Sequence, residues 1–156
     1  MRLAILLLFA APALTSLTPI DEAGFQKLVQ SNKGKVVLYD FWATYCAPCR
    51  AETPELLKLE KKLHASGFLL VTISADEPES DARAAKMADQ LGITRPAYRK
   101  EAKKDEDFIN SIDPKWEGAL PAMFLYDKNG RRVRSFIGAT DIATVEKAII
   151  GAMGSK

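Results

Sequence analysis

Two cysteines and one histidine are the only cysteine or histidine metal ligands in this 156-residue chain. A closed zinc site takes about four ligands, so a structural zinc domain does not fit. A disulfide framework does not fit either. Cys46 and Cys49 stand three positions apart, and a bridge between them closes almost no loop and adds little chain-entropy stabilisation. Long hydrophobic runs are missing too: the longest, from Leu3 to Ala11, falls short of the roughly 20 residues that span a bilayer. There is no excess charge of one sign, since 22 basic residues face 20 acidic ones, and nothing suggests a nucleic acid or an anionic surface as the main partner. Repeats and low-complexity segments are absent. What remains, 47% hydrophobic and 27% charged, suits one globular domain able to bury a single core.

The N-terminus carries a signal of its own. Arg2, the short apolar run and the small residues Ala11-Pro12-Ala13 have the anatomy of a secretory signal peptide. The expectation is a signal over residues 1–16, cleaved after Ala13 or after Ser16, and a mature domain over residues 17–156. No cysteine follows the run, which excludes a lipid-modified N-terminal cysteine.

Along the rest of the chain the pattern alternates between strands and helices. Residues 17–20 suggest an edge strand, because Pro19 cannot serve a central one. Asp21 caps a predicted helix to about residue 31. Residues 35–42 are almost continuously apolar, as buried parallel strands are. A helix follows from near Cys46 to about residue 65, with Pro54 expected to kink it. Residues 68–73 form a second buried strand, residues 76–79 a polar turn, and residues 80–91 another helix. Strand, helix, strand, helix in that order implies right-handed crossovers around a parallel sheet. Residues 93–98 are read as strand or loop, and 105–112 as a short helix. Residues 122–126 and 132–137 flank the turn Asp127-Lys128-Asn129-Gly130 as a hairpin. Asp141 caps a last helix to about residue 150.

The chemistry concentrates in Asp40-Phe41-Trp42-Ala43-Thr44-Tyr45-Cys46-Ala47-Pro48-Cys49-Arg50. A C-x-x-C that follows a buried strand and opens a helix places its first sulfur where unpaired backbone N–H groups and the helix dipole favour an anion. Thiolate is the reactive form, and such a position lowers a cysteine pKa from about 8.5 toward neutrality or below. Cys46 is therefore the expected nucleophile. Cys49, one turn deeper, is expected to be poorly exposed and to resolve the mixed disulfide. Pro48 suits an early helical position because its missing N–H has no partner to lose. The competing use of two thiolates is to hold Cu(I), as a copper-binding module.

With the later Leu120-Pro121-Ala122 and the 127–130 hairpin, these residues resemble the thioredoxin superfamily, and more narrowly its exported TlpA/ResA-like thiol–disulfide oxidoreductases. The likeness runs from about residue 17 to residue 150. It implies a thioredoxin-like α/β fold: a central mixed sheet, helices on both faces, and an inserted helical segment around residues 80–118, before the strand that a cis-proline opens. It implies Cys46 as the attacking cysteine and Cys49 as the releasing one. Asp40 takes the place of the family's buried acid, which moves a proton to and from the second cysteine. Burial in an apolar strand raises a carboxyl pKa toward a useful range, which agrees. Pro121 matches the cis-proline that faces the sulfurs, and Leu120 the residue whose backbone binds a peptide. Trp42, Tyr45, Ala47 and Pro48 complete the expected substrate surface.

Two departures stand out. Tyr45 replaces the tryptophan usual before the first cysteine. The lysine that thioredoxin sets opposite its buried acid has no counterpart in Val71-Thr72-Ile73-Ser74-Ala75-Asp76. A peroxiredoxin needs Thr or Ser three before its cysteine, and Ala43 stands there. A copper protein of this superfamily brings a distant histidine, and only His64 is available; otherwise His64 reads as a surface residue. Trp116 reads equally as part of a partner-binding rim or as a loop anchor. The resemblance implies no dissociable cofactor beyond the Cys46–Cys49 pair and no metal. As substrates it implies exported proteins with disulfides. It also implies a membrane electron donor, no nucleic acid, a monomeric state, and a periplasmic location. Pro48 before the second cysteine points to a reductase rather than an oxidase.

Overall fold

The computed structural model describes residues 16–154; the signal-peptide reading of residues 1–16 falls almost wholly outside them. The elements run β1 (Thr18–Ile20), α1 (Glu22–Ser31), β2 (Val36–Trp42), α2 (Ala47–Leu63), β3 (Phe68–Ser74), α3 (Asp81–Leu91), β4 (Tyr98–Lys100), α4 (Asp105–Ile112), β5 (Ala122–Tyr126), β6 (Arg132–Ile137) and α5 (Ile142–Gly154). Six strands form one sheet in the order β1-β4-β3-β2-β5-β6. The first four of that order are mutually parallel, while β5 and β6 run antiparallel to their neighbours. Pro19 sits on the sheet's edge, where a missing N–H takes nothing from the ladder.

β2 is the centre of the molecule, and all seven of its residues are buried. Successive side chains of a strand point to opposite faces. Val37, Tyr39 and Phe41 therefore join α1 and α4 in one layer, while Val36 and Leu38 join α2 and α5 in the other. Trp42 continues the second face into a smaller cluster with Cys46, Cys49 and the alanines of α3. Asp40 shares the parity of Leu38 and Trp42, so its carboxyl is committed to the α2 side of the sheet.

Local signals explain most boundaries. The Asp21 carboxylate accepts from the Gly24 N–H at 2.7 Å and starts α1. Asp141 does the same for α5 through Thr144 N–H at 2.9 Å, and that helix runs on to Gly154. α2 continues through Pro54 and ends in a short 3-10 turn, His64–Ser66. Gly67 then adopts φ +92°, a left-handed conformation that only glycine takes without strain.

The segment between β3 and β5 differs from a purely helical insertion, since it contributes β4 to the sheet between β1 and β3. Arg99 and Lys100 are buried there. Arg99 pairs with Asp81 and Glu101, and Lys100 with Asp105. These pairs tie β4 to α3 and α4.

Candidate active site

Cys46 is the N-cap of α2, with its backbone still extended at φ −90° and ψ 96°. Its sulfur accepts from the Cys49 N–H at 3.3 Å, so one of the helix's orphan donors already points at it. Pro48 occupies the first turn. Cys46 and Cys49 are joined in a disulfide. Both are largely covered: Cys46 is 7% exposed and Cys49 2%. Cys46 is thus less open than a free surface thiol, and its exposed remnant gives onto a groove.

That groove, about 410 Å³, is lined by Tyr45, Cys46, Ala47, Pro48, Gly118 and Leu120. Four of the predicted surface residues, Tyr45, Ala47, Pro48 and Leu120, meet there. Tyr45 is 71% exposed and stands beside the disulfide as an aromatic wall. Pro121 is buried and follows Leu120 through a cis peptide, the isomer that the sequence resemblance implied. Trp42 needs correction as a substrate contact. It is 1% exposed and packs below the disulfide with Ala84, Ala85 and Ala88, because its place on an interior strand leaves it no open face.

Gly118 was not legible as a lining residue. Its φ is +82°, and a Cβ there would meet Ile109 Cδ1 at 3.0 Å. Trp116 resolves toward the loop anchor. Its ring lies 5.0 Å from those of Phe41 and Phe124, and its indole N–H donates to the Ala119 carbonyl at 2.8 Å. The residues that lead into Leu120 are pinned to the core by that contact.

On the face of β2 that it shares with Trp42 lies Asp40, 2% exposed. Its Oδ2 is buried and without a hydrogen-bond partner among the described residues. Burial, and secondarily the negative charge of Glu52, push its pKa up to about 7. Glu52, one helical turn beyond Cys49, went unnoticed in the sequence. Its Oε1 accepts from the Thr140 N–H at 3.0 Å, its Oε2 is buried and unpartnered, and burial raises its pKa as well. A glutamate at a helical position normally reads as solvated, so only an apolar setting on both sides could have flagged it.

Among the described residues, no group of three or more histidine, cysteine or acidic side chains could hold a metal ion. His64 closes the opposite end of the 17-residue helix α2 from Cys46, about 25 Å away. The two thiolates therefore have no histidine within reach as a third copper ligand. No helix among the described residues is long and apolar enough to cross a membrane.

A mixed sheet with a helix-capping C-x-x-C at the end of its central strand defines a thioredoxin-like protein. The redoxin family matches residues 10–149, and the chain belongs to that family. The thiol-disulfide oxidoreductase ResA of Bacillus thuringiensis (strain Al Hakam) is 33% identical over 106 residues, covering 68% of this chain and 57% of the relative. The chain thus spans a little over half the length of that relative. The thioredoxin-like protein YneN of Bacillus subtilis is 40% identical over 77 residues, 47% of this chain and 44% of YneN. Among solved structures, a thiol:disulfide interchange protein from Chlorobium tepidum TLS superposes with a TM-score of 0.65 at 25% identity. It covers 80% of this chain and 84% of its own. A DsbF homologue from Corynebacterium diphtheriae reaches 0.68 at 23% identity, covers 79% and 75%, and shares the fold.

Proposed function

We propose that this chain is a thiol–disulfide oxidoreductase that reduces disulfides of exported proteins. The observation that carries the reading is Cys46 itself: a helix N-cap sulfur, hydrogen-bonded by the Cys49 amide, bonded to Cys49 and opening onto an apolar groove. In the reduced protein the Cys46 thiolate attacks one sulfur of a substrate disulfide. That S–S bond breaks, and the leaving sulfur takes a proton. Cys49 then gives its proton to the Asp40 carboxylate and attacks Cys46 Sγ, which expels the second substrate sulfur. Two electrons have passed to the substrate, and the Cys46–Cys49 disulfide remains.

The roles follow from chemistry at each position. The helix start stabilises the Cys46 anion. A carboxyl poised near 7 can accept and return a proton at working pH. Burial, with a smaller push from the Glu52 charge, keeps Asp40 in that range. The electrons reside in the cysteine pair, so no dissociable cofactor enters the cycle. Re-reduction needs an external dithiol donor, which for an exported protein means one delivered through the membrane. Export rests on the Arg2-to-Ala13 pattern. The test is insulin reduction by dithiothreitol-recharged protein: Cys46→Ser abolishes turnover, and Cys49→Ser accumulates mixed disulfides. Full activity in Cys46→Ser overturns the reading.

A further inference from the structure

The loop between β2 and α2 is held by a residue that the turn-like sequence at 76–79 concealed. Asp76 reads as the start of a solvated turn, yet it is 1% exposed. Its Oδ2 accepts from the Thr44 N–H at 2.9 Å and from the Ser74 hydroxyl at 2.7 Å; its Oδ1 accepts from the Thr44 hydroxyl at 2.6 Å. From the other side, the Arg50 guanidinium donates to the Thr44 carbonyl at 2.9 Å. Every polar group of Thr44 is thereby fixed, two residues before Cys46. The Ala75 N–H bonds the Trp42 carbonyl at 2.7 Å, so the ends of β2 and β3 are already locked. The further attachment is spent on the stretch that delivers the sulfur.

We propose that Asp76 is a positioning residue for Cys46: through Thr44 it fixes the backbone that holds the sulfur against the Cys49 amide. This rests on the oxidoreductase reading for its purpose but not for its geometry. Burying a carboxylate held by neutral donors is expensive, and a fold that needed only a turn there would do better with an apolar or neutral residue. An amide donates strongly to a thiolate and weakly to a disulfide sulfur. Loosening the loop therefore penalises the reduced form more than the oxidised one.

The experiment measures two properties of the full-length protein. One is the alkylation rate of Cys46 at neutral pH in a Cys49→Ser background. The other is the dithiol–disulfide equilibrium of the Cys46/Cys49 pair in glutathione buffer. Thr44→Ala and Asp76→Asn are expected to slow alkylation about tenfold, the scale of one weakened charge-assisted hydrogen bond. The same variants shift the equilibrium about tenfold toward the disulfide, or about 30 mV more reducing. Thr44→Ser, which keeps the hydroxyl, stays within about twofold of the native protein. Should Asp76→Asn fail to fold, Thr44→Ala reads the same contact, because it leaves Asp76 two of its donors. Native-like alkylation and equilibrium in Thr44→Ala, or a Thr44→Ser as impaired as Thr44→Ala, overturns the positioning role. A native protein that alkylates rapidly but does not reduce insulin overturns the activity reading and leaves these two measurements decisive for Asp76.

Discussion

Asp40 and Glu52 are two carboxyl groups on facing elements, each with one buried oxygen that no donor satisfies among the described residues. The negative charge of Glu52 adds to burial in keeping Asp40 protonated to about pH 7. Most folds avoid such an arrangement, because each group is destabilised by ionising near the other. Glu52 stands one turn beyond Cys49 on α2, so one of these uncomfortable charges shares a helix with the cysteine pair.

The stability of the protein carries that discomfort as a pH dependence. Asp40 is raised, so between the ordinary carboxyl range and about pH 7 the folded chain holds a proton that the unfolded chain has lost. Stability contributed by the protonated form is complete below that window and lost as pH rises through it. Asp40→Asn, neutral throughout, should be more stable than the native protein by roughly 2–4 kcal/mol at pH 8 and nearly equal to it at pH 4. Urea denaturation at the two pH values reads this. An equal gain at both would remove titration as the cause.

Glu52→Gln keeps the acceptor for the Thr140 N–H but removes the charge. The Asp40 titration should move down, though not to the ordinary value, because burial is the larger cause. The pH dependence with which Cys49 resolves a mixed disulfide should move in the same direction. A resolution step whose pH profile is the same in Glu52→Gln as in the native protein would count against any coupling.

Trp116→Phe retains most ring contacts with Phe41 and Phe124 but leaves the Ala119 carbonyl without the indole donor. A loss of about 1 kcal/mol is expected from the hydrogen bond. Trp116→Ala should lose about 3–5 kcal/mol by emptying the core site. Equilibrium unfolding distinguishes them. If Trp116 formed only a surface rim, both losses would fall below about 0.5 kcal/mol.

Tyr45→Ala is expected to leave stability within about 0.5 kcal/mol of the native protein, since Tyr45 is 71% exposed. It should nevertheless weaken reduction of a peptide disulfide, raising KM several-fold with a smaller effect on kcat. Unchanged kinetics with a series of peptide disulfides would show that the aromatic wall contacts no substrate.

Legibility followed burial and regular periodicity. β2 and β3 declared themselves as apolar runs, and the helix caps Asp21 and Asp141 by residue type. β4 did not, because Arg99 and Lys100 reach their buried positions by ion pairing with Asp81, Glu101 and Asp105, and no hydrophobic pattern marks them. The cysteines could be read from a compact motif, while Asp40 and Leu120-Pro121 are named as site residues by what the family resemblance implies. Glu52, Asp76 and Gly118 could not, since acidic residues on a helix or in a turn, and a glycine in a loop, look solvent-facing until the opposing wall is known. Trp42 departs in the other direction: the resemblance implies a place on the substrate surface, and its position on a buried central strand encloses it.

The exposure of the two cysteines, 7% for Cys46 against 2% for Cys49, bears on the traffic through the protein. Cys46 is the more open of the two, and it gives onto the groove lined by Tyr45 and Leu120. Under the proposed oxidoreductase reading, electron donor and electron acceptor use the same doorway in turn. Turnover of such a machine alternates between two half-reactions, and its steady-state kinetics should give parallel lines in double-reciprocal plots as the second partner is varied.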